Sequence, residues 1–290
     1  MKTLREYIKE AGENGVAIGH FNISNLEALH GIYNAAKKLN LPIIIGLSEG
    51  EEEFVGREEA VALIKAIRER DNYPIFLNGD HHYTFESVRD ALIAGYDAVI
   101  IDAVKLPLEE NIALTKKCVD FARGLSKKEN RDILVEAEIG FIGTSSKLLD
   151  TIPEGVGEAT MTTPEDAKYF VESTGVDLLA PSVGNLHGMV HGGNPRLHPE
   201  RVKAIREATG VPLVLHGGSG SMNEDFISCI KEGIDIVHIN TEIRVAYRDA
   251  VKKFLIENPD EVAPYKILKP AVFAIEAVVE ARLKLFNNIK

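Results

Sequence analysis

The sequence predicts a single-domain (β/α)8 barrel, of the TIM-barrel type, spanning residues 1–290. Two observations predict it: short apolar, β-branched segments recur eight times, and amphipathic helical segments separate them. The apolar segments are continuous rather than alternating, as expected of parallel strands buried on both faces. Eight such units favour closure into a barrel, whereas the competing open doubly wound sheet lacks a GxGxxG turn after its first strand.

The eight predicted strands are followed by recognisable helix signals. The strands lie at 16–22, 42–48, 74–80, 97–102, 133–140, 177–184, 212–218 and 235–240. Thr163 followed by Pro164 is a typical helix start, and Gly175 and Gly210 follow helical segments as C-terminal caps do. Residues 269–286 predict one extra C-terminal helix, which packs on the barrel or meets another subunit.

Composition excludes several classes of partner. The formal net charge of −11 disfavours nucleic acid and anionic membranes, because both would repel the protein. We expect no membrane span, since no run of eighteen apolar residues occurs, and no secretory signal in residues 1–10. Cys118 and Cys229 fall in predicted helices without a CxxC motif, so we expect buried thiols and a cytoplasmic location.

Polar residues gather at the predicted C-terminal ends of the strands, where barrels of this kind build their sites. In chain order they are Asn22, Ser48, Glu49, Asp80, His81, His82, Asp102, Glu136, Glu138, Asn185, His187, His216 to Gly220, His238 and Asn240. Buried carboxylates and imidazoles cost several kcal/mol unless they are paired or bind a metal, so this convergence indicates a functional site.

Three histidines and one glycine-rich turn predict the chemistry. His81, His187 and His216 would offer neutral nitrogens to Zn²⁺ and leave a coordination position open for substrate. The turn from Gly217 to Gly220, which includes Gly218 and Ser219, follows the seventh strand, where barrels favour phosphate. A Schiff base would need a lysine inside the barrel, and none lies in the eight strand segments.

At these residues the sequence resembles class II fructose-bisphosphate aldolases and their tagatose-bisphosphate relatives. The resemblance runs from about Val16 to Asp249 and depends on FNISN, FLNGDHH, VEAEIG, SVGNLHG, LVLHGGSG and the NTE of HINTEI, in that order. It implies a lyase that reversibly cleaves a ketose bisphosphate, with fructose 1,6-bisphosphate expected first, to dihydroxyacetone phosphate and glyceraldehyde 3-phosphate. A divalent ion would stabilise the enediolate. The family is typically dimeric or tetrameric.

The resemblance also implies roles for individual residues. His81, His187 and His216 would bind the catalytic zinc, and Asp80 would move the hydroxyl proton. Asp102 and Glu138 match a second divalent position, and a monovalent cation, Na⁺ or K⁺, often assists at the phosphate. The residues implied in substrate or phosphate binding are Asn22, Ser48, Gly188, Gly217, Gly218, Ser219, His238, Asn240 and Thr241.

The sequence departs from the family at three positions. The loop glutamate that moves a substrate proton is here Ser146, and Asp150, Glu154 and Glu158 are the candidate replacements. A lysine after the sixth strand is here His191, and a substrate-binding asparagine is here His238. These exchanges alter charge and reach around the substrate.

Other residues have simpler interpretations. His82 is expected to pack or to support His81; His20, His30 and His198 are expected to be structural or solvated; and the acidic segment Glu49 to Glu53 is expected to be a solvated loop.

Two other functions compete with the aldolase. A metal-dependent hydrolase commonly shows an HxH pair on its first strand, where this chain has His20-Phe21-Asn22. A non-catalytic sugar-phosphate-binding barrel would explain Ser146.

Overall fold

The computed structural model describes residues 2–143 and 146–290 and confirms the predicted barrel. Eight parallel strands close on themselves, and their order around the barrel follows the chain. They are β1 (Ile18–Asn22), β2 (Ile43–Ser48), β3 (Ile75–His82), β4 (Ala98–Ile101), β5 (Leu134–Ile139), β6 (Leu178–Pro181), β7 (Leu213–Leu215) and β8 (Ile234–Ile239). The C-terminal ends of all eight strands therefore meet at one mouth.

Helices surround the barrel. They are α1 (Leu4–Asn14), α2 (Leu26–Leu39), α3 (Glu49–Val55), α4 (Arg57–Asp71), α5 (Phe85–Ala94), α6 (Leu108–Glu129), α7 (Pro164–Thr174), α8 (Pro199–Thr209), α9 (Asn223–Lys231), α10 (Thr241–Glu257) and α11 (Pro264–Phe286). Beyond β5, Leu148–Leu149 pairs in parallel with Met189–Val190, and Glu158–Thr160 forms a single 3₁₀ turn. None of the described helices is long and apolar enough to cross a membrane.

Helix α1 closes the N-terminal end of the barrel and was not predicted. Leu4, Ile8 and Ala11 pack against inward-facing strand residues such as Ile44 and Phe76. Their spacing of four and three residues places them on one face of a helix, which is the signal that sequence reasoning passed over. This packing fills the N-terminal end of the barrel interior, so the clefts described below lie at the opposite end.

The predicted helix signals and the extra C-terminal helix are confirmed. Thr163 accepts a hydrogen bond from the backbone of Asp166 at the start of α7, and Gly175 and Gly210 end their helices in left-handed conformation. Helix α11 packs along α2 and α10. Cys118 and Cys229 are buried, as predicted.

The acidic segment Glu49 to Glu53 is helix α3, so the expected solvated loop is wrong. Glu51 and Glu52 are buried. The backbone N–H of Ser48 donates to the Glu51 carboxylate, which is half of a capping box, and Arg57 donates two hydrogen bonds to Glu52. Local pairing therefore lets two carboxylates fold inward beside the barrel mouth.

One contact repeats three times at the N-terminal end of the barrel. An aspartate at the start of an even-numbered strand accepts a backbone N–H from the strand before it and an arginine from the helix before that strand. The three sets are Arg68, Leu77 and Asp97; Arg123, Val135 and Asp177; and Arg206, Leu213 and Asp235. We call them the aspartate clamps. Arg5 of α1 also donates to Asp177, which ties α1 to the barrel.

Candidate metal and substrate site

A β-bulge in β3 brings Asp80 and His81 to the barrel mouth together. Gly79 pairs with Val99 and His82 with Ile101, so two residues of β3 lie opposite one residue of β4. His81 takes up a left-handed conformation, with φ of 54°. His82 consequently faces the helices, where it lies 2.6 Å from the Ser87 hydroxyl, which fits its predicted packing role.

The three predicted zinc ligands meet at the mouth. Nε2 of His81 lies 3.2 Å from Nδ1 of His216. One ring nitrogen from each of His81, His187 and His216 lies within 4.8 Å of the others. Two nitrogens bound to one tetrahedral zinc are about 3.4 Å apart, so this spacing suits such an ion.

Each of the three histidines has a hydrogen-bond acceptor at its other ring nitrogen. For His81 this is Asp102, at 2.9 Å; for His187 it is the backbone carbonyl of Gly143, at 2.9 Å. For His216 it is Glu136, which lies 2.7 Å from Nε2. Acceptors of this kind set the tautomer and turn the free nitrogen toward a metal, so the donor set fits zinc.

The surrounding carboxylates favour positive charge at this point. Burial alone lowers the pKa of His81, but Asp80, Asp102 and Glu138 outweigh it and raise the pKa to about 10. His187, which has no such carboxylate partner, has its pKa lowered to about 3 by burial and by the neighbouring histidines. The carboxylates around His81 therefore favour a positive charge at this point of the cluster.

A second group of ligand atoms lies behind His81. Atoms of His81, Asp102 and Glu138 lie within 4.8 Å of one another. Oε2 of Glu138 is buried without a hydrogen-bond partner among the described residues, and burial together with Asp102 raises the Glu138 pKa to about 8. A cation here would relieve that charge, which suits the predicted second divalent position.

Asp80 is held by an amide that is shared with Glu51. Nδ2 of Asn22 donates to Oδ2 of Asp80 and to Oε2 of Glu51, each at 2.8 Å. Burial raises the Asp80 pKa, but the imidazoles of His81 and His238 outweigh burial and hold that pKa well below its ordinary value. Oδ1 of Asp80 makes no well-formed hydrogen bond to a described residue, and Nδ1 of His238 lies 3.4 Å from it. The site therefore presents an ionised carboxylate with one oxygen available.

His20 belongs to the site's wall rather than to a solvated position. It is buried, and its ring stacks on His238 with centroids 3.5 Å apart and planes within 2°. Atoms of His20, Asp80 and His238 lie within 4.8 Å of one another. Two parallel stacked rings direct their nitrogens side by side rather than toward one point, so this set suits a metal poorly. We interpret His20 as support for His238.

The inner part of the mouth is a cleft of about 300 Å³ that reaches the glycine-rich turn. It is lined by residues predicted to bind the metal, to transfer the proton or to bind substrate and phosphate: Asn22, Asp80, His81, His187, Gly188, His216, Gly217, Ser219, His238, Asn240 and Thr241. Gly217 has a φ of 60°, and a Cβ there would lie 2.3 Å from the Leu186 carbonyl oxygen. Gly218 does not line the cleft, and its N–H donates to the His238 carbonyl instead.

An outer cleft of about 590 Å³ adjoins the inner one and adds Ser48, Tyr83, Asp102 and Arg244 to the lining. Ser146 lines both clefts. The three carboxylates expected to replace the family's glutamate, Asp150, Glu154 and Glu158, line neither cleft and are exposed. His191 is also outside both clefts, with its side chain 64% exposed and 3.9 Å from Asp150.

Sequence reasoning assigned no role to four residues that the structure places in or beside the site. Glu136 lies two residues before Glu138, so the two share the inward face of β5, and that spacing was the available signal. Glu51 carries a capping signal three residues after Ser48. Arg244 and the Gly143 carbonyl had no sequence signal.

Comparison with known proteins agrees with this geometry. The family model described as fructose-bisphosphate aldolase class-II matches residues 2–290. A "Probable fructose-bisphosphate aldolase" of Bacillus subtilis is 37% identical over 99% of this chain and 97% of its own length. The "Fructose-bisphosphate aldolase" of Geobacillus stearothermophilus is 35% identical over 99% of this chain and 96% of its own length.

Solved structures that match nearly the whole chain are also named as aldolases. The YdjI aldolase of Escherichia coli K12 has a TM-score of 0.83 and 33% identity, and the match covers 98% of this chain and 96% of that one. A putative fructose-1,6-biphosphate aldolase from Coccidioides immitis has a TM-score of 0.80 and 27% identity, over 98% and 95%. With the family model matching nearly the whole length, this chain belongs to the class II fructose-bisphosphate aldolase family.

Proposed function

We propose that this protein reversibly cleaves fructose 1,6-bisphosphate to dihydroxyacetone phosphate and glyceraldehyde 3-phosphate. The observation that carries the proposal is the juxtaposition of three oriented histidines with a glycine-serine turn in one cleft. The relatives' names support fructose 1,6-bisphosphate as the substrate. Tagatose 1,6-bisphosphate, which differs in stereochemistry, is the alternative within the same reaction.

The proposed metal centre uses His81, His187 and His216. The family is zinc-dependent, and when bound, the divalent ion supplies the positive charge that stabilises the enediolate of the three-carbon fragment. Asp102 and Glu138 would hold a second divalent position together with His81, and a monovalent cation would assist at the phosphate.

In the cleavage direction Asp80 acts as the base. Its available Oδ1 would take the proton of the substrate hydroxyl next to the bond that breaks, while Asn22 holds Oδ2 in place. The C–C bond electrons pass to the three-carbon fragment as the hydroxyl becomes the aldehyde. In the reverse direction Asp80 returns this proton to the aldehyde oxygen.

The proposed phosphate site is the inner cleft. Gly188, Gly217, Ser219, Asn240 and Thr241 line it. Backbone N–H groups and hydroxyls at such a turn suit phosphate oxygens. Gly218, whose N–H is used within the protein, would shape the turn rather than contact the ligand. His238 would face the substrate where the family has asparagine.

We propose a homodimer or homotetramer in the cytoplasm. The family relationship supports both the oligomeric state and the location. The net charge of −11 would repel nucleic acid, so we expect no nucleic-acid partner.

The test is a coupled cleavage assay with fructose 1,6-bisphosphate and tagatose 1,6-bisphosphate, with and without EDTA and added zinc. We expect chelator-sensitive release of dihydroxyacetone phosphate and no inactivation by borohydride, because no imine forms. Cleavage that survives complete metal removal would contradict the proposal. No cleavage of either sugar, with one zinc bound per chain, would favour a non-catalytic binding barrel.

A further inference from the structure

A second buried polar cluster lies behind the barrel mouth, on the outer side of β3. Its members are His82 of β3, Glu52 of α3 and Ser87 of α5, and both helices pack against β3. The side chains of His82 and Glu52 are 0% and 4% exposed. None of the three residues lines the inner or the outer cleft, and the proposed reaction uses none of them. A buried carboxylate is costly unless it is paired, so this cluster needs a physical explanation.

The His82 ring is held at both of its nitrogens. Nδ1 lies 2.6 Å from the Ser87 hydroxyl, and Nε2 lies 3.4 Å from Oε1 of Glu52. A hydroxyl can donate to Nδ1, whereas a carboxylate only accepts, so the two partners together favour the tautomer with its N–H at Nε2. Neither Nε2 of His82 nor Oε1 of Glu52 makes a well-formed hydrogen bond to a described residue. Each of these two buried atoms therefore depends on the other for electrostatic compensation.

Glu52 is itself fixed in place and ionised. Nε and Nη2 of Arg57 donate to Oε2 of Glu52 at 3.0 and 2.7 Å. Burial raises the Glu52 pKa, but His82 and Arg57 outweigh burial and hold that pKa below its ordinary value. Because Arg57 occupies Oε2, the oxygen that remains for His82 is Oε1, and the arginine fixes its position.

The position of His82 is linked to that of His81 through the bulge. A Cβ on Gly79 would lie 2.6 Å from Nε2 of His82, so the His82 ring fills the space that the glycine leaves free. The His82 carbonyl accepts the N–H of Asp102 at 2.8 Å, and Oδ2 of Asp102 lies 2.9 Å from Nδ1 of His81. A displaced His82 would therefore also move the acceptor that orients His81.

The bulge needs such support because it is not the ordinary conformation of a strand. A φ of 54° at His81 costs free energy for a residue with a side chain. A regular strand would avoid that cost, but it would direct His82 to the mouth and His81 to the helices. We propose that Glu52 is a positioning residue: it holds His82 against the helices and thereby stabilises the bulge that brings His81 to the metal site. The effect on zinc rests on the proposed metal centre, and the effect on the bulge does not.

Amide hydrogen exchange in the metal-free protein tests the bulge directly. The measured quantity is the exchange rate of the Asp102 N–H, which donates to His82, divided by that of the Val135 N–H in the neighbouring strand β5. We expect Glu52→Gln to raise this ratio about 5-fold to 100-fold, because the amide keeps the size of the side chain but loses the charge that faces His82.

Two controls separate this effect from a general loss of stability. Asp235→Asn removes another buried carboxylate that pairs with an arginine, at the opposite end of the barrel, and should not raise the ratio. Glu53→Gln, at an exposed position of the same helix as Glu52, should leave the ratio unchanged. Both control variants keep Glu52 and His82 intact.

The zinc affinity of the same variants, measured by chelator competition, tests the consequence for His81. We expect Glu52→Gln to weaken zinc binding about 3-fold to 10-fold, less than the change of a residue that directly contacts a ligand. In the His82→Leu background Glu52→Gln should cause no further loss, because Glu52 acts through His82. This comparison distinguishes positioning from the general effect of removing a charge near the metal.

An exchange ratio that does not rise in Glu52→Gln, or a zinc affinity equal to that of the wild type, would overturn the inference. So would an undiminished effect of Glu52→Gln in the His82→Leu background. If the wild type binds no zinc, the proposed metal centre fails instead, and the exchange ratio alone then decides whether Glu52 holds the bulge.

Discussion

Nε2 of His216 lies 2.7 Å from Oε1 of Glu136, on the opposite side of the imidazole from the nitrogen that faces His81. The N–H at Nε2 therefore donates to a buried carboxylate, and the lone pair of Nδ1 is directed into the histidine cluster. A buried negative charge behind a neutral imidazole also makes that imidazole a better metal ligand.

We expect Glu136→Gln to weaken zinc binding by about 10-fold to 100-fold, because the ring loses its charged acceptor while the side chain keeps its size. Competition with a chromogenic chelator measures the affinity. Glu158→Gln, at an exposed position of the 3₁₀ turn, is the matched control. Equal zinc affinity in wild type and Glu136→Gln would show that Glu136 does not tune the site.

His187→Ala should remove one of the three metal ligands. Changing an outer partner of a ligand already costs up to about 100-fold, so we expect at least that loss in kcat/KM together with substoichiometric zinc. Metal content and the cleavage rate are measured on the same preparation, and circular dichroism checks the fold. Full activity with bound zinc would contradict the assignment of His187.

Asp80→Asn should slow the chemical step and leave metal binding unchanged. The amide keeps the shape of the side chain but cannot take up the hydroxyl proton, so kcat should fall by about 100-fold to 10,000-fold. Zinc stoichiometry should stay at the wild-type value, since none of the three histidines uses Asp80 as its outer acceptor. A kcat near that of the wild type would exclude Asp80 as the proton-transfer group.

Gly217→Ala tests the glycine-rich turn. The added methyl group would lie 2.3 Å from the Leu186 carbonyl, at a φ of 60° that only glycine adopts readily. Relieving this clash moves the turn, and a cost of about 1–3 kcal/mol corresponds to a KM raised about 5-fold to 150-fold. Gly192→Ala is the control, because a Cβ at Gly192 meets no atom within 4 Å. Equal KM values in the two variants would argue against a phosphate site at Gly217.

Asp177→Ala should destabilise the barrel without affecting catalysis. It removes the acceptor of the buried Val135 N–H and of two arginines that are themselves 42% and 46% exposed. The buried Val135 N–H that loses its acceptor should account for most of the destabilisation, about 1–3 kcal/mol of unfolding free energy. Urea unfolding measures the change, and Asp120→Ala, at an exposed position of α6, should lie within about 0.5 kcal/mol of wild type. A kcat changed in Asp177→Ala would contradict a purely structural role.

The barrel and the residues at its mouth were predictable because continuous apolar segments locate strand ends without any three-dimensional information. His81, His187 and His216 are far apart in sequence and meet because each follows a strand. The side chains around the glycine-rich turn were predictable for the same reason.

The bulge in β3 was not predictable. Regular alternation places Asp80 and His82 on one face of the strand and His81 on the other. In the structure the bulge and the left-handed backbone at His81 bring Asp80 and His81 to the mouth together and turn His82 toward the helices. Nothing in the local sequence requires that conformation. Which of two adjacent histidines joins the cluster with His187 and His216 is therefore decided by the pairing of β3 with β4.

Helix α3 was mispredicted because sequence shows charge but not its partner. Besides its local partner Ser48, buried Glu51 is paired with Arg244, which comes from a helix that begins 190 residues later. Pairs of this kind appear only after the barrel has closed.

The aspartate clamps divide the barrel into units that are contiguous in the chain. Each clamp lies within one stretch, 68–97, 123–177 or 206–235, and none crosses into another. A circular permutant opened between two stretches, for example at residues 191–195 in the segment between β6 and α8, keeps every clamp within a continuous piece of chain. A cut inside a stretch separates an arginine from its aspartate. Because each clamp joins two successive strands, a segment exchanged between barrels of this kind keeps its clamp if it contains two strands with their helices. A segment of one strand and one helix would break a clamp.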